Sequence, residues 1–407
     1  VEARRGRDIL ASAQTGTGKT AAFALPLLQK MCDKPLEMNA GEVRALILTP
    51  TRELAEQLGN TISRYAQFLP LQVNALYGGG RTSSQESKLK AGSDILIATP
   101  GRLLEHVLQC NVNLSKVEFL VLDEADRMLD MGFIADVQGL LQQAPEQRQT
   151  LLFSATVSGA VEQLAHKLLK RHITIKVAKL NATADTVEHL VFPVEERRKA
   201  ELFIELLREQ NWFHVLVFTS TKDQADRLLK ALKTEKLDVA VCHGDKTQGS
   251  RRRAIADFKS GKLQILIATE VAARGLDIQG LEQVVNFNLP YLAEDYVHRI
   301  GRTGRAGQKG EAISFVSREE ERVLENIERL IGERIERISL PGFEVSNRDR
   351  LHKNLSESTT RRRSNKVSRT QFSNEDSRSD NKAGAFKPTS KIKAIKGKAK
   401  KGRGKKK

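Results

Sequence analysis

The sequence predicts an α/β protein with two domains, each a parallel sheet flanked by helices, followed by a disordered basic tail. Short apolar runs alternate with longer amphipathic stretches, the pattern of strands joined by crossover helices. This alternation lapses after Val177 and then resumes. The last 61 residues are rich in Lys, Arg and Ser and poor in large apolar side chains. We therefore predict domains at 1–178 and 187–346, a linker at 179–186 and a tail at 347–407.

Composition limits the class of protein. At 407 residues and 40% hydrophobic content, the chain is long enough for two ordinary cores. Its three cysteines are far apart and fit neither a disulfide framework nor a zinc site. No apolar run approaches the roughly 20 residues of a membrane span, and no signal peptide is evident. We expect a cytoplasmic protein without a membrane partner, and the start at Val1 suggests a fragment or a processed chain.

The positive charge is concentrated in the tail. The chain carries a net charge of +17, and residues 347–407 hold 21 Lys/Arg against 5 Asp/Glu. The body is therefore nearly neutral. A basic tail of this kind is expected to attract the phosphate backbone of a nucleic acid without reading its sequence. The alternative is a tail that only keeps the protein soluble.

A phosphate-binding loop follows the first apolar run, Ile9 to Ala11. It has the P-loop form A-x-x-x-x-G-K-T, with Ala where the strict pattern has Gly. Backbone N–H groups of such a loop surround a phosphate, and the following helix adds the positive end of its dipole. Lys19 is expected to meet the β- and γ-phosphates and Thr20 to complete a Mg²⁺ shell. The loop consists of Ala13, Gln14, Thr15, Gly16, Thr17, Gly18, Lys19 and Thr20.

Three carboxylates follow the apolar strand Phe119 to Leu122. Asp123, Glu124 and Asp126 would be costly to bury without a cation, and Mg²⁺ is the cation that oxygen ligands and phosphates favour. Asp123 is expected to hold the metal, and Glu124 could take a proton from an attacking water. Alone, such a cluster is usually a solvated turn; the P-loop is what favours the functional interpretation.

Other strands also end in polar segments. The runs Ala45 to Leu48, Ile95 to Ala98 and Leu151 to Phe153 lead into segments rich in Thr, Ser, Pro and Arg. In open α/β sheets, ligands bind at the carboxyl ends of the strands. We therefore expect these segments to lie at one edge with the P-loop and Asp123. The segments are Thr49 to Ala55, Thr99 to Arg102 and Ser154 to Thr156.

The second series of apolar runs has arginines in place of a phosphate loop. Its predicted strands are Val215 to Phe218, Val239 to Val241, Ile265 to Ala268, Val284 to Phe287 and Ala312 to Val316. Arg302 and Arg305 are three residues apart, so on a first helical turn both could point the same way. Guanidinium groups suit phosphate oxygens, which makes them candidate arginine fingers opposite the P-loop. The alternative is a basic surface turn.

Ten motifs in order resemble those of the DEAD-box RNA helicases over about residues 6–343. The first six are Ala13 to Thr20, Pro50 to Ala55, Gly78 to Gly80, Thr99 to Arg102, Asp123 to Asp126 and Ser154 to Thr156. The other four are Val217 to Thr221, His243 to Arg251, Ala268 to Ile278 and His298 to Arg305. Asp130 to Phe133 and the basic tail are most similar to the bacterial RhlE-like branch.

The resemblance implies two RecA-like domains and an RNA-dependent ATPase that uses ATP and Mg²⁺. It implies phosphate and metal contacts for Lys19, Thr20 and Asp123, an ATP ribose contact for Asp277, and γ-phosphate contacts for Arg302 and Arg305. Ser154, Thr156 and Asp126 would couple hydrolysis to strand separation. The residues implied along the RNA backbone are Arg52, Gly79, Thr99, Arg102, Thr219, Gly244, Gln248, Arg251 and Thr269. For the hydroxyl residues among them, a helix cap is an equal alternative.

Three departures from the family pattern stand out. The adenine-reading Q motif of the family would lie before Val1. Glu270 stands where Asp is usual, and Asn288 where an acid is commoner. Two other functions are alternatives: an RNA chaperone or assembly scaffold that acts through the tail without hydrolysis, and a processive DNA or RNA translocase. Asp126, where many translocases have His, favours local RNA unwinding. Ribosome-assembly or RNA-decay factors are the expected protein partners.

Overall fold

The structure is a computed structural model that describes residues 1–13, 17–79, 87, 89–90, 92–177, 187–273, 278, 280–304 and 310–344. The predicted linker, 179–186, and the predicted tail, 347–407, lie outside the described residues. Among the described residues, no helix combines the length and the apolar character that a bilayer crossing requires.

The first lobe contains seven strands in one parallel sheet, ordered β3-β4-β2-β5-β6-β1-β7. These strands are β1 Ile9–Ser12, β2 Val43–Leu48, β3 Val73–Leu76, β4 Ser93–Ala98, β5 Phe119–Leu122, β6 Gln149–Ser154 and β7 Ile173–Lys176. The described helices around them are α1 Lys19–Asp33, α2 Arg52–Tyr65, α3 Pro100–Leu108, α4 Ala125–Asp130, α5 Ile134–Leu141 and α6 Gly159–Leu168.

The second lobe repeats this arrangement with a sheet ordered β10-β11-β9-β12-β13-β8-β14, also parallel. Its strands are β8 Val187–Pro193, β9 Val215–Thr219, β10 Val239–Cys242, β11 Ile265–Thr269, β12 Gln283–Asn286, β13 Gly310–Val316 and β14 Glu336–Arg337. Its α-helices are α7 Lys199–Gln210, α8 Lys222–Thr234, α9 Gln248–Lys259, α10 Glu270–Ala273, α11 Ala293–Ile300 and α12 Glu321–Ile331; Glu196–Arg198 and Arg318–Glu320 are 3₁₀ turns.

The central strands are apolar on both faces because helices cover both faces of each sheet. All residues of β2, β9 and β11 are buried. In the first lobe, alternate residues of β2 enter two separate cores: Leu46 and Leu48 pack on one face, and Ala45 and Ile47 on the other. The predicted parallel α/β fold with two sheets is thus confirmed, and every strand predicted from an apolar run is present.

The sequence pattern did not predict β3, β7, β8 and β14. Strands β3, β7 and β14 are sheet edges, and none of them is a fully buried run. In strand β8, the polar residues Glu188 and His189 separate Val187 from the apolar residues Leu190 to Pro193, which leaves only a short apolar run. Edge strands need less apolar surface than central ones, so their sequence signal is weaker.

Lys199 is the first residue of α7, and its side chain is completely buried. Its Nζ lies 2.5 Å from Glu320 Oε2 and 2.7 Å from Glu196 Oε2. A buried ammonium group is tolerated only when it is paired. These two carboxylates therefore neutralise the lysine within the second lobe.

Candidate functional site

The end of β1 and the start of α1 bring Lys19 to the carboxyl edge of the first sheet. Gly18 precedes the helix with φ of 85°, a left-handed conformation that glycine adopts without strain. Lys19 is 9% exposed, and its Nζ lies 3.8 Å from Asp123 Oδ1. Among the described residues, no hydrogen-bond acceptor reaches this Nζ. A buried ammonium group with only one distant carboxylate suits a phosphate ligand. Gln14, Thr15 and Gly16 lie outside the described residues.

Asp123 and Glu124 lie at the end of β5, and both are buried. Burial raises the pKa of Asp123 to about 6, an effect that Lys19 opposes. Glu124 N–H donates to Asp123 Oδ1 at 3.1 Å. Glu124 has φ 57° and ψ 52°, so a non-glycine residue occupies the left-handed region. Such strain persists where the surroundings impose it, and it is characteristic of functional sites.

Asp126 connects the acidic segment to the end of β6. Its Oδ2 accepts hydrogen bonds from Ala155 N–H at 3.1 Å, Thr156 N–H at 2.9 Å and the Thr156 hydroxyl at 3.0 Å. Ser154 donates its own hydroxyl proton to the Thr156 carbonyl at 2.6 Å. The three residues predicted to couple hydrolysis to strand separation therefore form one hydrogen-bonded group. Their role remains a prediction.

Arg127 crosses from the first lobe to α11 of the second lobe, within one compact unit. Its guanidinium contacts the Asp295 carboxylate and His298 Nδ1, and it pairs with Asp130 at 3.2 Å. Burial alone would raise the pKa of Asp126, but His298, Arg127 and the Thr156 hydrogen bonds lower it below its ordinary value. His298 of the second lobe thus affects the pKa of a carboxylate in the first lobe. Sequence reasoning missed Arg127, which directly follows the motif Asp123 to Asp126, and Asp295, which lies three residues before the motif His298 to Arg305.

Arg302 does not lie on a helical turn, so that expectation was wrong. Helix α11 ends at Ile300 with Gly301 as its C-cap, and Arg302 is buried in the following segment. Its carbonyl accepts from Leu281 N–H at 3.2 Å. Arg305 and Asp277 lie outside the described residues. Their proposed contacts with ATP remain predictions.

The unusual Glu270 pairs with Arg299 at 2.5 Å. The same guanidinium donates to Asn286 Oδ1 at 3.2 Å and to the Asn288 carbonyl at 2.7 Å. The Asn288 side chain donates to Glu196 at 3.1 Å. Both departures from the family pattern therefore occupy polar networks inside the second lobe, which hold the segment that leads into α11.

In the first lobe, Arg52 lies against the glycines at 78 and 79. A Cβ atom added to Gly79, which has φ of +78°, would lie 2.3 Å from Arg52 Nη1. Thr99 occupies the N-cap of α3, yet its side chain makes no capping hydrogen bond. Arg102 pairs with Glu105 at 2.5 Å. The close approach at Gly79 explains why this position has no side chain.

In the second lobe, the residues predicted to bind RNA differ in their surroundings. Gly244 is exposed, whereas Thr219 and Thr269 are buried at strand ends. Gln248 Nε2 donates to Glu53 Oε1 at 3.1 Å, and Arg251 pairs with the same oxygen at 2.8 Å. Gln248 and Arg251 therefore contact the other lobe. Their RNA contacts remain predictions, and Glu53 is a lobe-bridging residue that sequence reasoning missed.

A cavity of about 340 Å³ lies between the lobes. Asp126, Arg127, Thr156 and His298 are among the residues that line it. A second cavity, of about 180 Å³, is lined in part by Thr17, Lys19 and Phe153, beside the P-loop.

The described residues contain no group of three or more His, Cys, Asp or Glu side chains placed to hold a metal ion. A Mg²⁺ ion that keeps several waters and takes most other ligands from phosphates needs no such group.

Comparison with known proteins identifies the family. Residues 1–164 match the DEAD/DEAH box helicase model, and residues 198–307 match the helicase conserved C-terminal domain. CshA of Bacillus cereus, a DEAD-box ATP-dependent RNA helicase, is 41% identical over 339 residues, or 83% of this chain and 64% of that protein. S. cerevisiae Dbp5 bound to RNA and ADP BeF3 is 32% identical, with coverage of 86% of this chain and 89% of that one and a TM-score of 0.72. The chain belongs to the DEAD-box helicase family.

The DEAD-box chain spans less than two thirds of the length of this CshA relative. A single-residue variant of S. cerevisiae Dbp5, bound to a Gle1 variant and IP6, is 31% identical, with coverage of 87% of this chain and 88% of that one and a TM-score of 0.60.

Proposed function

We propose that this chain is an ATP-dependent RNA helicase, whose RNA-stimulated ATP hydrolysis separates short RNA duplexes locally or remodels RNA–protein complexes. The observation that carries the proposal is the position of Asp126 and Arg127. Asp126 binds Thr156 at the end of β6, and Arg127 binds α11 of the other lobe. A change at the acidic segment therefore reaches both lobes through two adjacent residues.

For ATP, each residue of the site has an assigned role in the proposal. Lys19 binds the β- and γ-phosphates, and Glu124 orients or deprotonates the attacking water. Arg302 and Arg305 approach the γ-phosphate from the second lobe, and Asp277 contacts the ribose. Thr20 and Asp123 would hold a Mg²⁺ ion, which supplies charge neutralisation for the phosphates. The buried Nζ of Lys19, beside Asp123, supports this assignment.

RNA binds across the same two lobes in the proposal. Hydroxyl, glycine N–H and arginine groups contact phosphate or 2′-OH without reading bases, so binding is largely independent of sequence. Because ATP and RNA both favour the closed arrangement, each raises the affinity for the other. Closure bends one strand out of its duplex, and hydrolysis with phosphate release reopens the lobes.

Steady-state ATP hydrolysis, with and without a structured RNA, tests this function in the 407-residue chain. RNA is expected to raise the rate several-fold, and Glu124→Gln is expected to abolish hydrolysis while RNA binding persists. A rate that does not respond to RNA contradicts the proposal. Full RNA remodelling by Glu124→Gln would instead indicate the alternative, a clamp or scaffold that needs no hydrolysis.

The cellular role is a further part of the proposal. A cytoplasmic enzyme of the RhlE-like branch would act in ribosome assembly or RNA decay, with the basic residues of 347–407 holding it near structured RNA. Removal of 347–407 should then lower RNA affinity most at low salt and flatten its salt dependence. An unchanged salt slope would exclude that role of the tail.

A further inference from the structure

Arg252, in α9 of the second lobe, contacts two separate parts of the first lobe. Its Nε pairs with Glu56 Oε2 at 2.9 Å, and its Nη2 donates to the Tyr77 hydroxyl at 2.7 Å. Glu56 lies in α2, whereas Tyr77 directly follows β3. One guanidinium therefore joins a helix and a loop of the opposite lobe. Sequence reasoning assigned no role to Arg252, Glu56 or Tyr77.

The chemistry of Arg252 suits such a double contact. A guanidinium is planar and holds its donors in a fixed fork, so it can satisfy two acceptors at once without extra ordering. Burial and the nearby Glu56 raise the pKa of Tyr77 above its ordinary value. The phenol therefore stays neutral at working pH, and its oxygen accepts the guanidinium proton. A lysine could reach only one of these partners with comparable geometry.

Tyr77 leads directly to the part of the first lobe that is proposed to face RNA. The next two residues are Gly78 and Gly79, and the Arg52 guanidinium lies against both. A Cβ atom at Gly78 would be 3.2 Å from Arg52 Nη2, and one at Gly79 would be 2.3 Å from Arg52 Nη1. A shift of Tyr77 therefore moves the backbone on which Arg52 rests. The contacts run without a gap from Arg252 to Arg52.

We propose that Arg252 is a positioning residue for RNA, which fixes Tyr77 when the lobes meet and thereby places the Gly78–Gly79 backbone and Arg52 for the RNA strand. This inference rests on the proposed helicase function and adds a residue to it. The neighbouring pairs of Glu53 with Gln248 and Arg251 hold the helices α2 and α9 together. Arg252 extends the contact to the RNA-facing loop, which those pairs do not reach.

The exposure of the Arg252–Glu56 pair fits a contact that breaks and re-forms each time the lobes open and close. The side chains of Arg252 and Glu56 are 50% and 30% exposed. Ion pairs as exposed as this are screened by solvent and contribute little to stability. When the lobes part, both side chains regain water at small cost. Arg252 therefore orients the loop in the closed arrangement without resisting reopening.

RNA titrations of ATP hydrolysis by the full chain test the inference. Arg252→Ala and Glu56→Ala should each raise the half-saturating RNA concentration by about two- to fivefold, the range expected for an exposed inter-lobe contact. The rate at saturating RNA and the rate without RNA should stay near those of the unaltered chain. Tyr77→Phe should act in the same direction but less strongly. Arg253→Ala is the matched control, because Arg253 is an exposed neighbour on the same helix with the same charge.

Glu56→Ala separates positioning from direct RNA binding by Arg252. Removal of an acidic side chain should improve or preserve RNA affinity if Arg252 only attracts phosphate, whereas a positioning role requires RNA affinity to fall. A double variant that combines Arg252→Glu with Glu56→Arg should restore RNA affinity toward that of the unaltered chain. The inference is overturned if Glu56→Ala leaves the half-saturating RNA concentration unchanged. It is also overturned if Arg252→Ala and Arg253→Ala raise that concentration equally. If the unaltered chain shows no RNA stimulation, the proposed function fails first, and the inference falls with it.

Discussion

The carboxylate of Asp126 accepts hydrogen bonds from both the backbone N–H and the side-chain hydroxyl of Thr156, at 2.9 and 3.0 Å. The next residue, Arg127, contacts Asp295 and His298 in the other lobe. Two adjacent residues thus connect the acidic segment to the end of β6 and to α11. In the proposed function, coupling between hydrolysis and lobe movement depends on both contacts.

Thr156→Val should weaken that coupling with little change in fold. Valine keeps the shape but removes one hydrogen bond to a buried carboxylate, a contribution of about 1.5–3 kcal/mol. We expect RNA-stimulated hydrolysis to persist and duplex separation to fall by about tenfold, which is equivalent to ~1.4 kcal/mol. Measurement of both activities on one short duplex checks this. Thr174→Val, on the exposed face of β7, should change neither; parallel losses in hydrolysis and separation would contradict a coupling role.

Glu124 stores backbone strain that a variant can release. In the left-handed region a non-glycine residue costs about 1–2 kcal/mol, and glycine avoids this cost. Glu124→Gly and Glu124→Ala should both abolish hydrolysis, because both remove the carboxylate. Glu124→Gly should unfold at a higher temperature than Glu124→Ala, by about 2–4 °C for each kcal/mol of backbone strain that glycine avoids. Equal unfolding temperatures would show that φ at this position costs nothing.

Gly79→Ala should weaken RNA binding through Arg52. The added Cβ would lie 2.3 Å from Arg52 Nη1, so the arginine must move. Gly132 is the matched control, because it has φ of +75° and a Cβ there would meet nothing within 4 Å. Both variants incur a similar backbone cost of about 1–2 kcal/mol, which thermal unfolding measures. Only Gly79→Ala should lose RNA affinity, and a similar loss in Gly132→Ala would implicate strain instead of contact.

Glu53→Gln should favour the open arrangement of the lobes. Glu53 and Arg251 are each 8% exposed at the side chain, so loss of one charge leaves its partner buried and unpaired. Because opening hydrates that partner, the effect should fall on RNA affinity in the presence of an ATP analogue, by about tenfold. RNA affinity without nucleotide should change little. Glu37→Gln, at an exposed position, is the control, and a comparable loss there would rule out the lobe contact as the cause.

Central strands and the site at their carboxyl ends were predictable from single segments. A run such as Val43–Leu48 is apolar throughout most of its length because both of its faces are covered, and the sequence shows this directly. The placement of the segment Ser154 to Thr156 at one sheet edge with Asp123 was also expected, since parallel strands bring their ends together. Both inferences need only local pattern and the general geometry of parallel sheets.

Contacts between the lobes could not be predicted in the same way. Arg252 and Glu56 are 196 residues apart, and nothing in either helix specifies which residue it will meet. Rigid placement of one sheet against the other decides this, and periodicity holds no information on that placement. The placement of Arg302 on a helical turn was wrong for a local reason: helix α11 ends at Ile300, so the three-residue spacing of Arg302 and Arg305 does not follow a helix.

The shared strand order of the two sheets makes Lys199 the counterpart of Lys19, because each begins the helix that follows the sixth strand across its sheet. In the second lobe, however, two carboxylates already neutralise the ammonium group. The second lobe thus neutralises its buried lysine internally, whereas the proposed function gives Lys19 the phosphate oxygens of ATP as partners. The chain is expected to consume a single nucleotide in each cycle of closing and opening, a stoichiometry of one that calorimetric titration with a non-hydrolysable analogue would count.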